Sequence, residues 1–232
     1  MLVIIPTYAR VSTLATVLDS LFCADLPTDE AMRLILVNNQ PKNKETFNNV
    51  LAEAVERNQR IIGRWQVSIH HREESLPPIE NWFSAIDQFA IEGEVVLLSG
   101  DDDLFTPWSL VDRFKAMQET KADLLLTKSK GGLFFLESGS KIYCPQLPTR
   151  SGAEPCPLGW KTVGDWDSSF IGCLAYRYTP GYRAALQQVF DWTDKQYWVD
   201  TSNRRLMTPF YLPYAALHTG AKIISLEQTC VY

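Results

Sequence analysis

Histidine and cysteine are scarce, and the cysteines are scattered. The three histidines (His70, His71, His218) and five cysteines (Cys23, Cys144, Cys156, Cys173, Cys230) form no CxxC pair and no zinc spacing, which sets aside the usual structural zinc modules. An odd, scattered cysteine set argues against a disulfide framework and for reduced thiols in the cytoplasm. No block of Lys or Arg is long enough to track a phosphate backbone. With 22 basic residues against 27 acidic ones and a net charge of -5, nucleic acid is not expected as a general partner. Long apolar runs are missing too. The opening run, Leu2 to Ile5, stops at Pro6, too short for a signal-peptide core or a transmembrane segment, so any membrane contact is expected to be peripheral. There is also no GxxxxGK[ST], no GxGxxG after the first apolar run and no GxSxG. A P-loop, the usual dinucleotide site and a nucleophile elbow are thereby excluded.

What is present is alternation. Short β-branched runs and one-sided helical patterns follow one another through residue 127, the mark of a mostly parallel α/β sheet flanked by helices. Strands are expected at 2–5, 34–37, 65–70, 94–98 and 123–127. Between the first two, Leu14, Val17, Leu18, Leu21 and Phe22 fall on one helical face, with Ser12 as the expected cap. Phe47, Val50, Leu51, Ala54 and Val55 mark a second helix, "ENWFSAIDQFA" a third, and Thr106–Pro107 the start of a fourth. The remainder differs in character. Residues 133–143 read as a hairpin turned at Ser138–Gly139, and 145–164 are rich in Pro and Gly without a period. Nearly half of the aromatic residues fall between Trp160 and Tyr214. One domain over 1–232 is expected, with 1–127 binding a nucleotide and 128–232 facing an acceptor.

The sharpest feature is "LLSGDDDLF" at 97–105, an apolar strand ending in Asp101, Asp102 and Asp103. In an open parallel sheet, ligands bind beyond the carboxyl ends of the strands. Thr7, Tyr8 and Arg10 follow the first strand, and Asn38, Asn39 and Gln40 the second, so polar residues from three strand ends meet at one crevice. Adjacent carboxylates resist joint ionisation unless a cation or hydrogen-bond donors neutralise them. Mg²⁺ or Mn²⁺ is the natural partner, since both take oxygen ligands and leave part of their shell to water and phosphate. Read alone, the same run also fits a solvated turn whose Asp caps the next helix.

"VIIPTYAR", "LILVNN", the helix bearing "EN" and "LLSGDDDLFTPWSL" together resemble the family 2 glycosyltransferases of GT-A fold, in order and at plausible distances, from residue 2 to about 118. The resemblance implies a nucleoside diphosphate sugar donor (UDP-, GDP- or TDP-sugar) and transfer of a hexosyl or deoxyhexosyl group to a glycan or other hydroxyl acceptor. It implies Pro6, Thr7 and Tyr8 around base and ribose, Arg10 near the phosphates, and Asn81 supporting the nucleotide pocket. Asp101 and Asp103 would hold Mn²⁺ or Mg²⁺, with Asp101 also near the ribose and Asp102 beside the donor. Two departures stand out. Asn38 and Asn39 occupy the place where the family has an Asp contacting base or ribose. The stretch "MTPFYLPYAAL" lacks the acidic pair that supplies the base in inverting members, which leaves Asp200 and then Asp167 as candidate bases, or a retaining enzyme that needs none. A sugar nucleotidyltransferase and a non-catalytic sugar-binding homologue are the other readings.

Overall fold

The computed structural model describes residues 1–8, 10–28, 30–59, 62–129, 134–135, 142–143, 150, 156–158, 174–197, 213 and 215–231. The β-strands are β1 (Leu2–Thr7), β2 (Met32–Asn38), β3 (Trp65–His71), β4 (Val95–Leu98), β5 (Leu124–Ser129), β6 (Phe134–Phe135), β7 (Ile142–Tyr143), β8 (Cys156–Leu158), β9 (Leu174–Arg177) and β10 (Ile223–Val231). The helices used below are α1 (Val11–Phe22), α2 (Lys44–Arg57), α3 (Pro78–Phe89), α4 (Ser109–Thr120) and α5 (Pro180–Tyr197).

Eight strands form one sheet in the order β3-β2-β1-β4-β9-β5-β10-β8. The left half is parallel throughout. On the right, β5 and β10 are parallel, while β9 lies antiparallel between β4 and β5 and β8 antiparallel on β10. The sheet thus draws strands from both sides of residue 127. β6 and β7 pair separately as Phe134 with Tyr143 and Phe135 with Ile142, the arms of the expected hairpin; its turn lies outside the described residues.

The continuous apolar runs follow from a sheet covered on both faces. Val3 and Ile5 of β1 join Leu34 and Leu36 of β2 in the cluster under α1, α2 and α4. Leu2 and Ile4 join Ile35 and Val37 in the cluster that includes residues of α3 and α5. All five residues expected on the buried face of α1 are buried, each contributing roughly 1.5–3 kcal/mol. β3, at the sheet edge, keeps an alternating, half-exposed pattern.

Two helix starts differ from expectation. β1 runs on to Thr7 and α1 begins at Val11, so Ser12 sits inside the first turn and Arg10 takes the cap position without a side-chain capping bond. α4 begins at Ser109 rather than after Thr106. Thr106 is drawn into the sheet instead: its N–H donates to the Cys230 carbonyl at 3.0 Å, and its own carbonyl accepts from the Ser109 N–H.

The parallel register sets the crevice. Thr7 stands beside Asn38, and Ile4 beside Leu98, so the chain leaves β1, β2 and β4 on one side of the sheet.

Candidate active site

Asp101 and Asp103 are buried at 7% and 8% exposure, and the chain supplies each with its own donors. Thr7 at the end of β1 donates its hydroxyl to Asp101 Oδ2 at 2.7 Å, and the Tyr8 N–H donates to the same oxygen at 3.3 Å. Arg10 lies 3.6 Å from Asp101 Oδ1 and also pairs with Asp102. Burial pushes the Asp101 carboxyl above the usual carboxylate range, opposed by the Thr7 hydrogen bond and the Arg10 charge. Asp103 is turned back on its own loop, where Oδ2 accepts the Gly100 N–H at 2.8 Å. Its carboxyl is pushed up to about 6, chiefly by burial. The Gly100 bond and the charge of Arg113 oppose that rise.

Asp102 differs, being about half exposed in its ion pair with Arg10. An exposed pair of this kind contributes little to stability. Its value is positional: Arg10 spans Asp101 and Asp102 at the mouth of the crevice.

Gly100 is required by close approach. A Cβ there would meet Asp102 Oδ1 at 2.7 Å and Asp103 Oδ2 at 3.2 Å, so two carboxylate oxygens lie across the face of this residue. Asp102 is exposed and can swing away, whereas Asp103 is pinned. Gly100→Ala is therefore expected to fold with a near-normal melting temperature but to weaken nucleotide binding about tenfold, the cost of roughly one misplaced charged contact. Calorimetric titration of wild type and variant with the same nucleotide checks this; equal affinities would show that the carboxylates need not stay where Gly100 lets them sit.

The second strand end is spent largely on structure. Asn38 is fully buried, its Oδ1 accepting the Gln40 N–H at 2.9 Å while its amide nitrogen lies 3.0 Å from His71 Nδ1. Asn39 clamps the loop after β3, donating to the Leu76 carbonyl at 2.7 Å and accepting the Leu76 N–H at 2.9 Å. Pro6 is half-buried at the end of β1 and Tyr8 is 57% exposed beside it. Asn81 is 2% exposed at the start of α3. Thr7, Tyr8, Arg10 and the three aspartates are thus brought together, with Asn38, Asn39 and Asn81 around the next strand ends. Asp167 and Asp200 lie outside the described residues.

Two arginines were not singled out from the sequence. Arg72 leaves β3 level with Asn38, to whose carbonyl its N–H donates at 3.0 Å. Arg113 is fully buried on α4 in a stripe with Leu110, Ala116 and Met117. The signal for Arg113 was present, a charged residue on an otherwise apolar helical stripe.

No family model and no curated protein matches the sequence. Solved structures do. Residues 1–349 of TarS from S. aureus align with 100% of this chain at a TM-score of 0.60 and 21% identity, the chain spanning 59% of that one. The fold is GT-A. The GT-A match extends to the mannosyltransferase PcManGT from Pyrobaculum calidifontis, in complex with GDP-Man and Mn²⁺, at a TM-score of 0.50 and 13% identity over 93% of this chain and 72% of that one. TarS 1–349 in complex with UDP-GlcNAc aligns at a TM-score of 0.59 and 20% identity, over 100% of this chain and 57% of that one. This GT-A chain therefore shares its architecture with nucleotide-sugar glycosyltransferases while spanning under two thirds of TarS 1–349.

Proposed function

We propose that the chain transfers a hexosyl or deoxyhexosyl group from a nucleoside diphosphate sugar to a hydroxyl of a glycan or other acceptor, in the cytoplasm. The observation that carries this reading is the joining of two strand ends by a buried carboxylate: Asp101 after β4 accepts from Thr7 at the end of β1, 2.7 Å away, within a GT-A sheet. No described helix is long and apolar enough to cross a membrane.

The residues fit Mn²⁺ or Mg²⁺. Among the described residues no three acidic, His or Cys side chains converge, so the protein would offer one or two carboxylates, the usual share in a Mg²⁺ site. Asp103 has its Oδ2 engaged with Gly100, and its Oδ1 has no partner among the described residues. Asp103 would be the main ligand, with Asp101 beside it. A cation bound there would neutralise negative charge growing on the departing diphosphate. Arg10, already spanning two carboxylates, supplies positive charge at the same mouth. Exposed Tyr8 offers a face to the base, and Pro6 and Thr7 shape the floor beneath it. The acceptor proton goes to a carboxylate; we assign that role to Asp200, and after it to Asp167.

A melting-temperature panel with UDP, GDP, TDP and CDP, each with and without Mn²⁺, tests the reading. A ligand that binds only the folded state adds about 2.7 kcal/mol at a hundredfold excess over Kd. A rise with one nucleotide that requires Mn²⁺, and release of a nucleoside diphosphate rather than pyrophosphate on turnover of the matching sugar donor, is expected. No rise with any of the four removes the nucleotide-sugar reading and leaves the fold alone.

A further inference from the structure

The two edges of the sheet are built differently. At one end β8 is three residues long and carries Pro157, and both features blunt an edge strand. At the other end β3 runs through seven residues, Trp65–His71, in unbroken register with β2. It has no proline, no bulge and no Asp, Glu, Lys or Arg, the devices that usually keep such an edge from pairing.

The charges on either side are drawn away from it. Arg64 donates to the carbonyls of Pro27, Thr28 and Glu30, and Arg72 donates to Asn81 Oδ1 at 2.9 Å and to Ser84 Oγ at 2.6 Å. Burial, with Arg72 beside His70 and Lys44 beside His71, holds both imidazoles below the usual histidine range and so neutral at pH 7. The strand is left uncharged along its whole length.

Which backbone groups face outward follows from one bond. The Arg72 N–H donates to the Asn38 carbonyl at 3.0 Å, so by the alternation of a strand His70, Ser68 and Gln66 also turn their N–H and C=O towards β2. Trp65, Val67, Ile69 and His71 turn theirs outward, where no strand among the described residues meets them. Side chains alternate as well. Val67 and Ile69 pack on the α2 side, whereas Gln66, Ser68 and His70 lie on the other side, His70 against Phe89 of α3. On the α2 side an open groove of about 730 Å³ continues the strand's apolar face, and α2 lines it with Asn48, Leu51, Ala52 and Val55, a stripe at helical spacing without a charge.

We propose that β3 pairs antiparallel with β3 of a second copy of this chain, about a two-fold axis at Ser68, making one continuous sheet through both molecules. The strand is complementary to itself in that register, as a two-fold interface requires. Val67 exchanges both backbone hydrogen bonds with Ile69 of the second copy, and Trp65 does so with His71. On one face Val67 meets Ile69 and the two α2 grooves adjoin. On the other, Ser68 faces Ser68 and the amide of Gln66 meets the neutral imidazole of His70. The paired strands run in opposite directions, so the two aspartate crevices open at opposite edges of the joined sheet. The inference stands apart from the transferase reading.

Sedimentation equilibrium of the whole chain, from micromolar to millimolar concentration, tests it. The mass is expected to rise from that of one chain to that of two and to stop there. Ser68→Lys and Ser68→Glu each set like charges directly opposite one another, and each is expected to weaken the dimer about a hundredfold or more. Ser68 is exposed, so both variants should keep the melting temperature of the wild-type monomer. An equimolar mixture of the two is expected to restore the dimer, because every cation then faces an anion. A wild type that stays monomeric throughout, or a dimer indifferent to both substitutions, overturns the inference. So does a mixture that remains monomeric, since the edge would then pair in another register or with another strand. Mass growing beyond two chains would show open-ended association and defeat the closed two-fold arrangement.

Discussion

Asp103→Asn is expected to yield a protein that is more stable than wild type without metal and nearly inert as a transferase. The wild-type carboxyl is pushed up to about 6 in the folded chain, against roughly 3.9 in an unfolded one. The folded state therefore keeps the Asp103 proton through a pH window in which the unfolded state has released it. Stability from this group falls as pH rises from about 4 to about 6 and is flat above, the loss being on the order of 3 kcal/mol. An asparagine is neutral throughout. Wild type and variant should coincide near pH 4 and separate by that amount at pH 8, as denaturant unfolding with a chelator would show. Activity should drop about 10²- to 10³-fold, the usual cost of removing one group that stabilises charge in a transition state. Equal stability of the two proteins at pH 8 would mean that the buried carboxylate is solvated in a way its surroundings do not suggest.

Arg113→Met is expected to stabilise the protein. Arg113 is fully buried, and all three of its guanidinium nitrogens lack a hydrogen-bond partner. Replacing a buried charge by an apolar residue of similar length often gains about 1–4 kcal/mol, whereas breaking a well-made buried pair costs about 3–5 kcal/mol. No such pair exists among the described residues, so the gain should prevail at pH 5, where Asp103 is protonated. At pH 8 the gain should shrink, because Arg113 is the buried cation that holds the Asp103 carboxyl down against burial. Without it the pH window of Asp103 moves upward, and metal-dependent nucleotide binding at pH 7 should weaken. Unfolding curves at both pH values check the sign; destabilisation at pH 5 would show that the guanidinium is better paired than its contacts indicate. Asp103→Asn and Arg113→Met should not add, since each removes the other's counter-charge.

The left half of this molecule was legible because its cues are local. The five apolar residues of α1 repeat at helical spacing, and a one-sided helix leaves few alternatives. Asp101 to Asp103 could be placed from chain direction alone, since a strand followed by polar residues in a parallel sheet defines which end carries the ligand. The right half depends on distant partners. "LAYR" of β9 is four residues long and carries no sign that it enters between β4 and β5 in the opposite direction. Ser12 and Thr106 looked like caps by residue type, yet β1 ran two residues further than its apolar run and Thr106 was captured by β10. Arg72 was invisible for a related reason: a lone arginine at a strand end acquires meaning only from what tertiary folding packs around it. Asn38 and Asn39 could be assigned to the right strand end, but their commitment to His71 and Leu76 is a matter of side-chain geometry that spacing does not encode.

The placement of β9 also bears on the order in which the molecule can be made. The strand that ends in the three aspartates has β1 on one side from early in the chain, but its other neighbour is Leu174–Arg177, and β5 waits for the same segment. Emerging from a ribosome, the first 127 residues would carry two long-lived open sheet edges, of the kind that recruits foreign strands. The aspartate loop therefore takes its final shape late in synthesis, after the segment that closes the sheet behind it has been made.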